Sequence, residues 1–428
     1  MLNRENQPQV CDLNDMDIRR PERVVMPNGV VLSVIDAAEE EVVRVDVVVK
    51  AGNWFQKQRL QAMFTNRMLR EGTKCYAAAE IAEQLDYYGG WLELSLGSEY
   101  AYVTLYTLNK YAAETFAILE SMLKEPLFAQ KELDTVLEMN LQMHLVSMSK
   151  VDVLAHRELL RVVHGPEHPL GNLAVADDFK KITPEVLSEF YQEFYHAENC
   201  AVFVSGKVTA DIRRMVTDLF GTEKFGAVRG VAVRTDYPIV NVEGKRFFCE
   251  REDVMQSAVK LGCATIRRNH PDYLDLRILM TLFGGYFGSR LMSNIREEKG
   301  YTYGISAGIL FYPANGVMLV TAETDNRYVE PMIGEIYHEI DRLQTEKVPG
   351  EELNIVCNYM IGDMCRNYET AFSLADAWIY IYTSELDDGY FERSLQSIRN
   401  ITPERLEELA QQYLCKENLK EVVAGKRM

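Results

Sequence analysis

One stretch of this chain is written twice. Ile182–Lys207 (ITPEVLSEFYQEFYHAENCAVFVSGK) aligns without a gap on Ile401–Lys426 (ITPERLEELAQQYLCKENLKEVVAGK), 219 residues further on, and 12 of the 26 positions are identical. A chain that repeats itself in register folds as two copies of one unit. Each copy reads as a helix followed by a strand: Thr183 or Thr402 can cap the helix, with Pro184 or Pro403 at its first position. A Glu-Asn turn then leads to an apolar strand closed by Gly-Lys.

The remainder of each copy fits the same plan. In the first, VVMPNGVVLSVIDA and EVVRVDVVVKAGNW alternate as strands, with a Pro-Asn-Gly turn before the first of them. Helical stretches are expected around Leu60–Arg70, Ala77–Tyr88 and Lys110–Lys124, with strand-like WLELSLGSEYAYVTLYTL before the third. In the second, SAVKLGCATI reads as a strand, PDYLDLRILMTLFG as a helix, and TYGISAGILFYPANGVMLVTAET as a hairpin turning at Pro-Ala-Asn-Gly. Hairpins outnumber crossover units, which predicts an α+β fold of two duplicated domains, each an antiparallel sheet packed with helices. The expected division is residues 1–222, a connector over 223–244, and residues 245–428.

Composition excludes several classes. Lys and Arg number 46 against 64 Asp and Glu, a net charge of −18, and no basic cluster stands ready for phosphates, so nucleic acid is not an expected partner. The eight Cys (11, 75, 200, 249, 263, 357, 365 and 415) show no CxxC pair and read as reduced, buried thiols. No apolar h-region opens the chain and no window reaches membrane-span length, so a cytoplasmic protein without a membrane partner is expected.

The segment Phe283–Ile309, FGGYFGSRLMSNIREEKGYTYGISAGI, resembles the pitrilysin/insulinase family of zinc peptidases, whose pattern there is a glycine-rich turn, Ser-Arg-Leu and Arg-Glu-x-x-Gly-x-x-Tyr. In the first half, GNWF and REGTKCYAAAEIAEQLDYYGG are similar to the family's first domain, and KEPLFAQKELDTV to its helix bearing the distal metal ligand. The family's subunits are themselves built from two related α+β domains. Active members carry His-x-x-Glu-His on a helix, with two His and a distal Glu on Zn²⁺ and the motif Glu activating water.

Aligned on Gly72-Thr73, the two His positions hold Met63 and Arg67, the Glu position holds Asn66, and the distal Glu falls at Met143, or at His144 one residue on. Thioether, guanidinium and amide cannot replace that donor set. No His precedes position 144, so a shifted alignment does not restore it. His164-Gly165-Pro166-Glu167-His168 spells the motif, but Gly and Pro oppose the helix that would bring both His to one face. It resembles instead the family's His-Pro-x-Gly loop, at His168–Gly171. The resemblance therefore implies no metal on this chain, with zinc expected in a partner subunit.

What the resemblance implies the chain retains is the Arg296/Tyr303 pair, which in the family binds substrate backbone and stabilises the oxyanion in the opposite half of a clamp. The run Gly284-Gly285-Tyr286-Phe287-Gly288 lacks a Walker or dinucleotide spacing and reads as a tight turn near the domain contact, with Gly284, Gly285 and Gly288 its glycines. The strand Gly90-Trp91-Leu92-Glu93-Leu94 corresponds to the family's substrate edge, with Glu93-Leu94 where the family has Asn-Ala, and an ordinary sheet strand is an equal reading. Tyr87, Tyr88, Tyr100, Tyr102 and Tyr106 read as core or interface aromatics.

The function expected is a non-catalytic subunit that closes the chamber of a two-chain zinc peptidase and supplies Arg296 and Tyr303 to an active homologue of similar length acting on peptides. It could form a homodimer when alone. The alternatives are a non-enzymatic scaffold or peptide-binding module like the respiratory-complex core proteins, and a self-sufficient zinc peptidase, against which Met63, Asn66 and Arg67 argue.

Overall fold

The structure, a computed structural model, describes residues 18–221, 226 and 230–427. Cys11, residue 222, and residues 223–225 and 227–229 of the expected connector lie outside the described residues. Residues 230–243 carry no helix or strand.

The first half contributes strands β1 (Glu22–Val25), β2 (Val31–Asp36), β3 (Val42–Val49), β4 (Trp91–Leu96), β5 (Ala101–Leu108) and β6 (Cys200–Gly206). Its helices are α1 (Gln61–Met68), α2 (Ala78–Tyr88), α3 (Ala112–Lys124), α4 (Gln130–Met148), α5 (Val151–His164), α6 (Pro184–Phe194) and α7 (Ala210–Gly221). The second half has β7 (Arg246–Glu250), β8 (Gln256–Thr265), β9 (Ile305–Phe311), β10 (Gly316–Asp325) and β11 (Lys420–Gly425). With them come α8 (Tyr273–Met280), α9 (Val329–Thr345), α10 (Gly350–Asn367), α11 (Ala371–Thr383), α12 (Tyr390–Asn400) and α13 (Pro403–Tyr413).

The two sheets have one topology. The first runs β1-β2-β6-β3-β5-β4 and the second β7-β11-β8-β10-β9, so beyond the extra β1 each strand of one has its counterpart in the other. Pairing is antiparallel except for β2 with β6 and β7 with β11, where the long return of the chain lays the closing strand alongside the opening one. The written repeat forms matching elements: the Thr183 hydroxyl accepts from the Val186 amide ahead of α6, and Thr402 accepts from Arg405 ahead of α13. Each cap satisfies an otherwise unpaired helix N–H, and Pro184 and Pro403 supply no further N–H that needs a partner.

Each sheet packs its own helices on one face and a helix from the other half on the opposite face. Leu159, Val162 and Val163 of α5 pack on Ala258, Val317 and Val422 of the second sheet. Reciprocally, Leu374, Ala375 and Trp378 of α11 pack on Ile35, Val48 and Phe203 of the first. Because α5 and α11 hold equivalent places in the repeated order, this is a mutual exchange of one helix. Double coverage explains why β6 is buried at all seven positions and β3 at all but its first.

The covered outer faces each hold a charge at the same register. Asp46, beside Phe203, bonds to the Arg44 guanidinium at 2.9 Å, and Arg44 reaches Asp376 of α11 at 2.6 Å. In the second sheet that position is Lys260, beside Val422, and its ammonium meets Asp152 of α5 at 2.7 Å. Burial raises the Asp46 pKa more than Arg44 lowers it. Such a pair fixes the exchanged helix in one register rather than adding much net stability.

Of the expected core or interface aromatics, Tyr100, Tyr102 and Tyr106 face the α11 side, with Tyr106 edge-on to Phe372, while Tyr87, 81% exposed on the outer face of α2, is not in the core. One sequence expectation needs correction. Cys75 is exposed rather than buried, since it lies in the turn between α1 and α2, while Cys200 and Cys263 are buried. Among the described residues no helix is long and apolar enough to cross a membrane.

Trp378 is 1% exposed at the centre of the α11 contact. Trp378→Ala is expected to cost about 3–5 kcal/mol, read as a lower midpoint in urea unfolding, whereas the same change at exposed Trp91 is expected to shift it little.

Candidate functional site

Helix α1 is entered through Leu60, whose φ of 74° is uncommon for a branched residue and is held by its surroundings. Just before it, Arg59 grips Asp178 through Nε at 2.5 Å and Nη2 at 2.8 Å. Just after it, the Gln61 side chain spans the Lys57 amide and the Val186 carbonyl. These bonds set α1 against α6 and under the β4 edge of the sheet.

The three substituted positions then have structural work. Asn66 is 2% exposed; its Nδ2 donates to the carbonyls of Ser95 (2.9 Å) and Tyr102 (3.4 Å), and its Oδ1 accepts from the Tyr195 hydroxyl at 3.2 Å. Its amide thus ties α1 to the β4 and β5 backbones. Met63 packs against the first core, and Arg67 is half-buried beside Arg70. Burial and the like charge of Arg70 together lower the Arg67 pKa, a group without a lone pair while protonated. Glu71, one turn on, is pushed up by burial.

On α4, Met143 is 53% exposed, so the residue turned inward at the distal position is His144, which lies 5.4 Å from the Phe179 ring. Phe179 in turn meets Phe64 of α1 edge-on at 5.7 Å. An aromatic contact therefore fills the line between α1 and α4. Burial, with Arg157 nearby, lowers the His144 pKa. Among the described residues no three His, Cys, Asp or Glu side chains gather as a metal site. The residues present do not fit Zn²⁺.

Strand β4 is the outermost of its sheet, paired only with β5, and follows Gly89, which caps α2 at φ 66°. Leu92 and Leu94 pack into the core, while Trp91 and Glu93 point outward. Gly90 begins this free edge.

His164 and His168 do not converge as ligands. Gly165, at φ 94°, ends α5 directly after His164, and Glu167 is exposed. Both imidazoles are buried and stack with centroids 4.9 Å apart. His164 bonds the Leu160 carbonyl and the Asn315 side chain, and the His168 Nδ1 accepts from the Leu170 amide. Trp54 and Tyr237 close around His168. Burial first, and then His164, pull the His168 pKa down to about 4.

In the second half the helix α8 runs into a π-helical turn, Thr281–Gly285, and a second one spans Met292–Glu298. The latter takes the place of α2 in the repeated order and carries Arg296. Single π-helical turns of this kind concentrate at functional sites. A Cβ on Gly284 would stand 2.6 Å from the Ala307 Cβ, so glycine there lets the turn lie directly on β9. Gly285 and Gly288 complete that turn. It presents Phe287, 63% exposed, whose ring covers the Arg296 guanidinium at 4.6 Å. Tyr303, at 91% exposed, precedes β9, the edge strand of the second sheet. A cleft of about 570 Å³ lies between the glycine turn, Gly304–Ser306 and Asp152 of α5. Sequence reading missed the cover by Phe287, whose only signal was an aromatic set between glycines.

Comparison with known proteins covers both halves. A family model described as "Insulinase (Peptidase family M16)" matches residues 31–162, and one described as "Peptidase M16 inactive domain" matches residues 181–360. A Rickettsia felis protein named an uncharacterized zinc protease is 25% identical over 77% of this chain and 79% of its own. A Helicobacter pylori protein named "Non-peptidase homolog YmxG" is 24% identical over 74% and 73%. The crystal structure of a peptidase M16 inactive domain from Pseudomonas fluorescens superposes with a TM-score of 0.85, at 19% identity, over 95% of this chain and 98% of that one.

Two outcomes are expected. The purified chain carries no stoichiometric zinc by elemental analysis, even after incubation with Zn²⁺ and removal of excess. Because His168 is held neutral while folded, the unfolded chain binds more protons below its usual pKa, so stability is lost as pH falls from about 6.5 toward 4. Urea midpoints measured across that window should fall more steeply for the native chain than for His168→Gln.

Proposed function

Since both halves of the chain belong to the insulinase family, peptidase M16, we propose that it is the non-catalytic subunit of a two-chain zinc peptidase, closing the chamber around peptide substrates and lending Arg296 and Tyr303 to the partner's centre. The observation that carries this reading is an asymmetry. In the first half the two His positions hold Met63 and Arg67, and the water-activating Glu position holds Asn66, which has taken up three hydrogen bonds of its own. The second half keeps the Arg/Tyr spacing, with Tyr303 held out at the head of an edge strand. Drift without a function would not spare one half-site.

In this reading residues 1–222 form the metal-free unit, 223–244 the connector and 245–428 the contributing unit. A substrate in extended form adds to a free edge such as β4 through main-chain bonds, with Trp91 and Glu93 beside it. The Tyr303 phenol and the Arg296 guanidinium donate to the oxygen on which negative charge grows as water attacks the peptide carbonyl. Zinc and the base that activates water come from the partner. The name of the Helicobacter relative, a non-peptidase homologue, agrees with this division of labour.

The chain alone is expected to leave peptides uncleaved, and cleavage to appear on mixing with an M16 homologue that carries an intact His-x-x-Glu-His helix. Arg296→Ala or Tyr303→Phe should lower the kcat of the mixture by about 10²-fold or more, as removal of an oxyanion donor does elsewhere, while co-elution of the two chains persists. Unchanged kcat in both variants would point to a scaffold, and zinc-dependent cleavage by the isolated chain would reject the proposal outright.

A further inference from the structure

A small polar cleft of about 190 Å³ lies where the two halves meet, away from α1 and from Arg296. It is built by the β4–β5 turn (Ser98, Glu99), Arg234 from the connector, the loop after β8 (Arg267–Asn269), the β9–β10 hairpin and the end of α11 (Ser384, Glu385). Its acidic members are already matched. Glu99 pairs with Arg234 at 3.2 Å, and Glu385 faces Lys50 at 3.9 Å.

Arg267 and Arg268 are left over. Neither has a carboxylate within ion-pair distance among the described residues, in a chain whose net charge is −18. Arg267 spends its Nε on the Ala314 carbonyl. The Arg268 guanidinium is clamped between the Phe311 and Tyr380 rings, at 4.2 and 4.3 Å from their centroids, and donates to the Ser384 hydroxyl at 2.5 Å. There it also offsets the negative end of α11. Its Nε is enclosed and has no acceptor. A guanidinium held between two rings is pre-organised for hydrogen bonds to an oxyanion.

We propose that this cleft binds a small oxyanion, a phosphate or a carboxylate, through Arg267 and Arg268. Phosphate and carboxylate share the chemistry that these forks recognise, and they differ in source: a free ion in one case, the end of a peptide in the other. The site does not depend on the peptidase reading, because it uses neither Arg296 nor Tyr303.

The test is titration calorimetry on the full chain at neutral pH and low chloride, with inorganic phosphate, a short peptide as the free acid, and the same peptide amidated. Saturable one-to-one binding is expected with phosphate, or with the free acid and not the amide, and that choice identifies the source. Bound anion should also raise the melting temperature. Arg267 is exposed, so Arg267→Ala should keep the native melting curve without ligand while weakening binding at least tenfold, and Arg267→Glu should abolish it. Arg268→Gln is the second variant, read only if its circular dichroism matches the native chain. No saturable binding of any of the three probes, or binding that Arg267→Glu leaves unchanged, overturns the proposal.

Discussion

The exchange of α5 and α11 is the contact on which the rest of the molecule depends. A sheet with helices on one face only would need polar residues across the other, yet β6 and all of β3 but its first residue are buried on both faces, and the outer face of β3 carries only the paired Arg44 and Asp46 as charges. That composition becomes tolerable once Trp378, Leu374 and Ala375 arrive from the far half to cover Phe203 and Val48. The same holds for Val317 and Val422 beneath α5. The hydrophobic effect sets the amount of burial but no register. Register comes from the two charged positions, Asp46 with Arg44 and Asp376 in one sheet and Lys260 with Asp152 in the other. A duplicated gene has used opposite charges at one shared position to tell its two halves apart.

On α1 the lost chemistry has been replaced by structure rather than left as a gap. The Asn66 amide can donate and accept at once, which suits it to join two strand carbonyls and the Tyr195 hydroxyl beneath the sheet edge. A carboxylate there could accept from Tyr195 but could not donate to the two carbonyls. Phe64, Phe179 and His144 then close the route between α1 and α4 with ring contacts.

Much of the fold was legible in the sequence because its signals are local. Thr183-Pro184 and Thr402-Pro403 announce two helix starts, alternation marks the strands, and the written repeat gives the duplication. The helix exchange was not legible, since the amphipathic pattern of α5 and the nearly all-apolar one of α11 mark burial without saying which sheet they serve. The parallel closure of β6 on β2 and of β11 on β7 is equally a matter of long-range return. At the site, the loss of both His ligands and of the water-activating Glu could be read letter by letter from Met63, Arg67 and Asn66. The new role of Asn66 could not, because its partners lie 29, 36 and 129 residues away. The inward turn of His144 rather than Met143 depends on helix phase, which alignment on a distant Gly72-Thr73 fixes only to within a residue.

The helix exchange also sets a timetable for biosynthesis. The strands of the first sheet are all made once Gly206 has been added, but the helix that covers their outer face begins only at Ala371. At ordinary elongation rates of about 5–20 residues per second, that surface waits on the order of ten to thirty seconds for its cover. During that interval Phe203, Ile35 and Val48 form an open apolar face on a nascent chain, the sort of surface that general chaperones hold. Any pause in translation between the two halves lengthens the exposure, so the pace of the ribosome becomes part of what this fold requires.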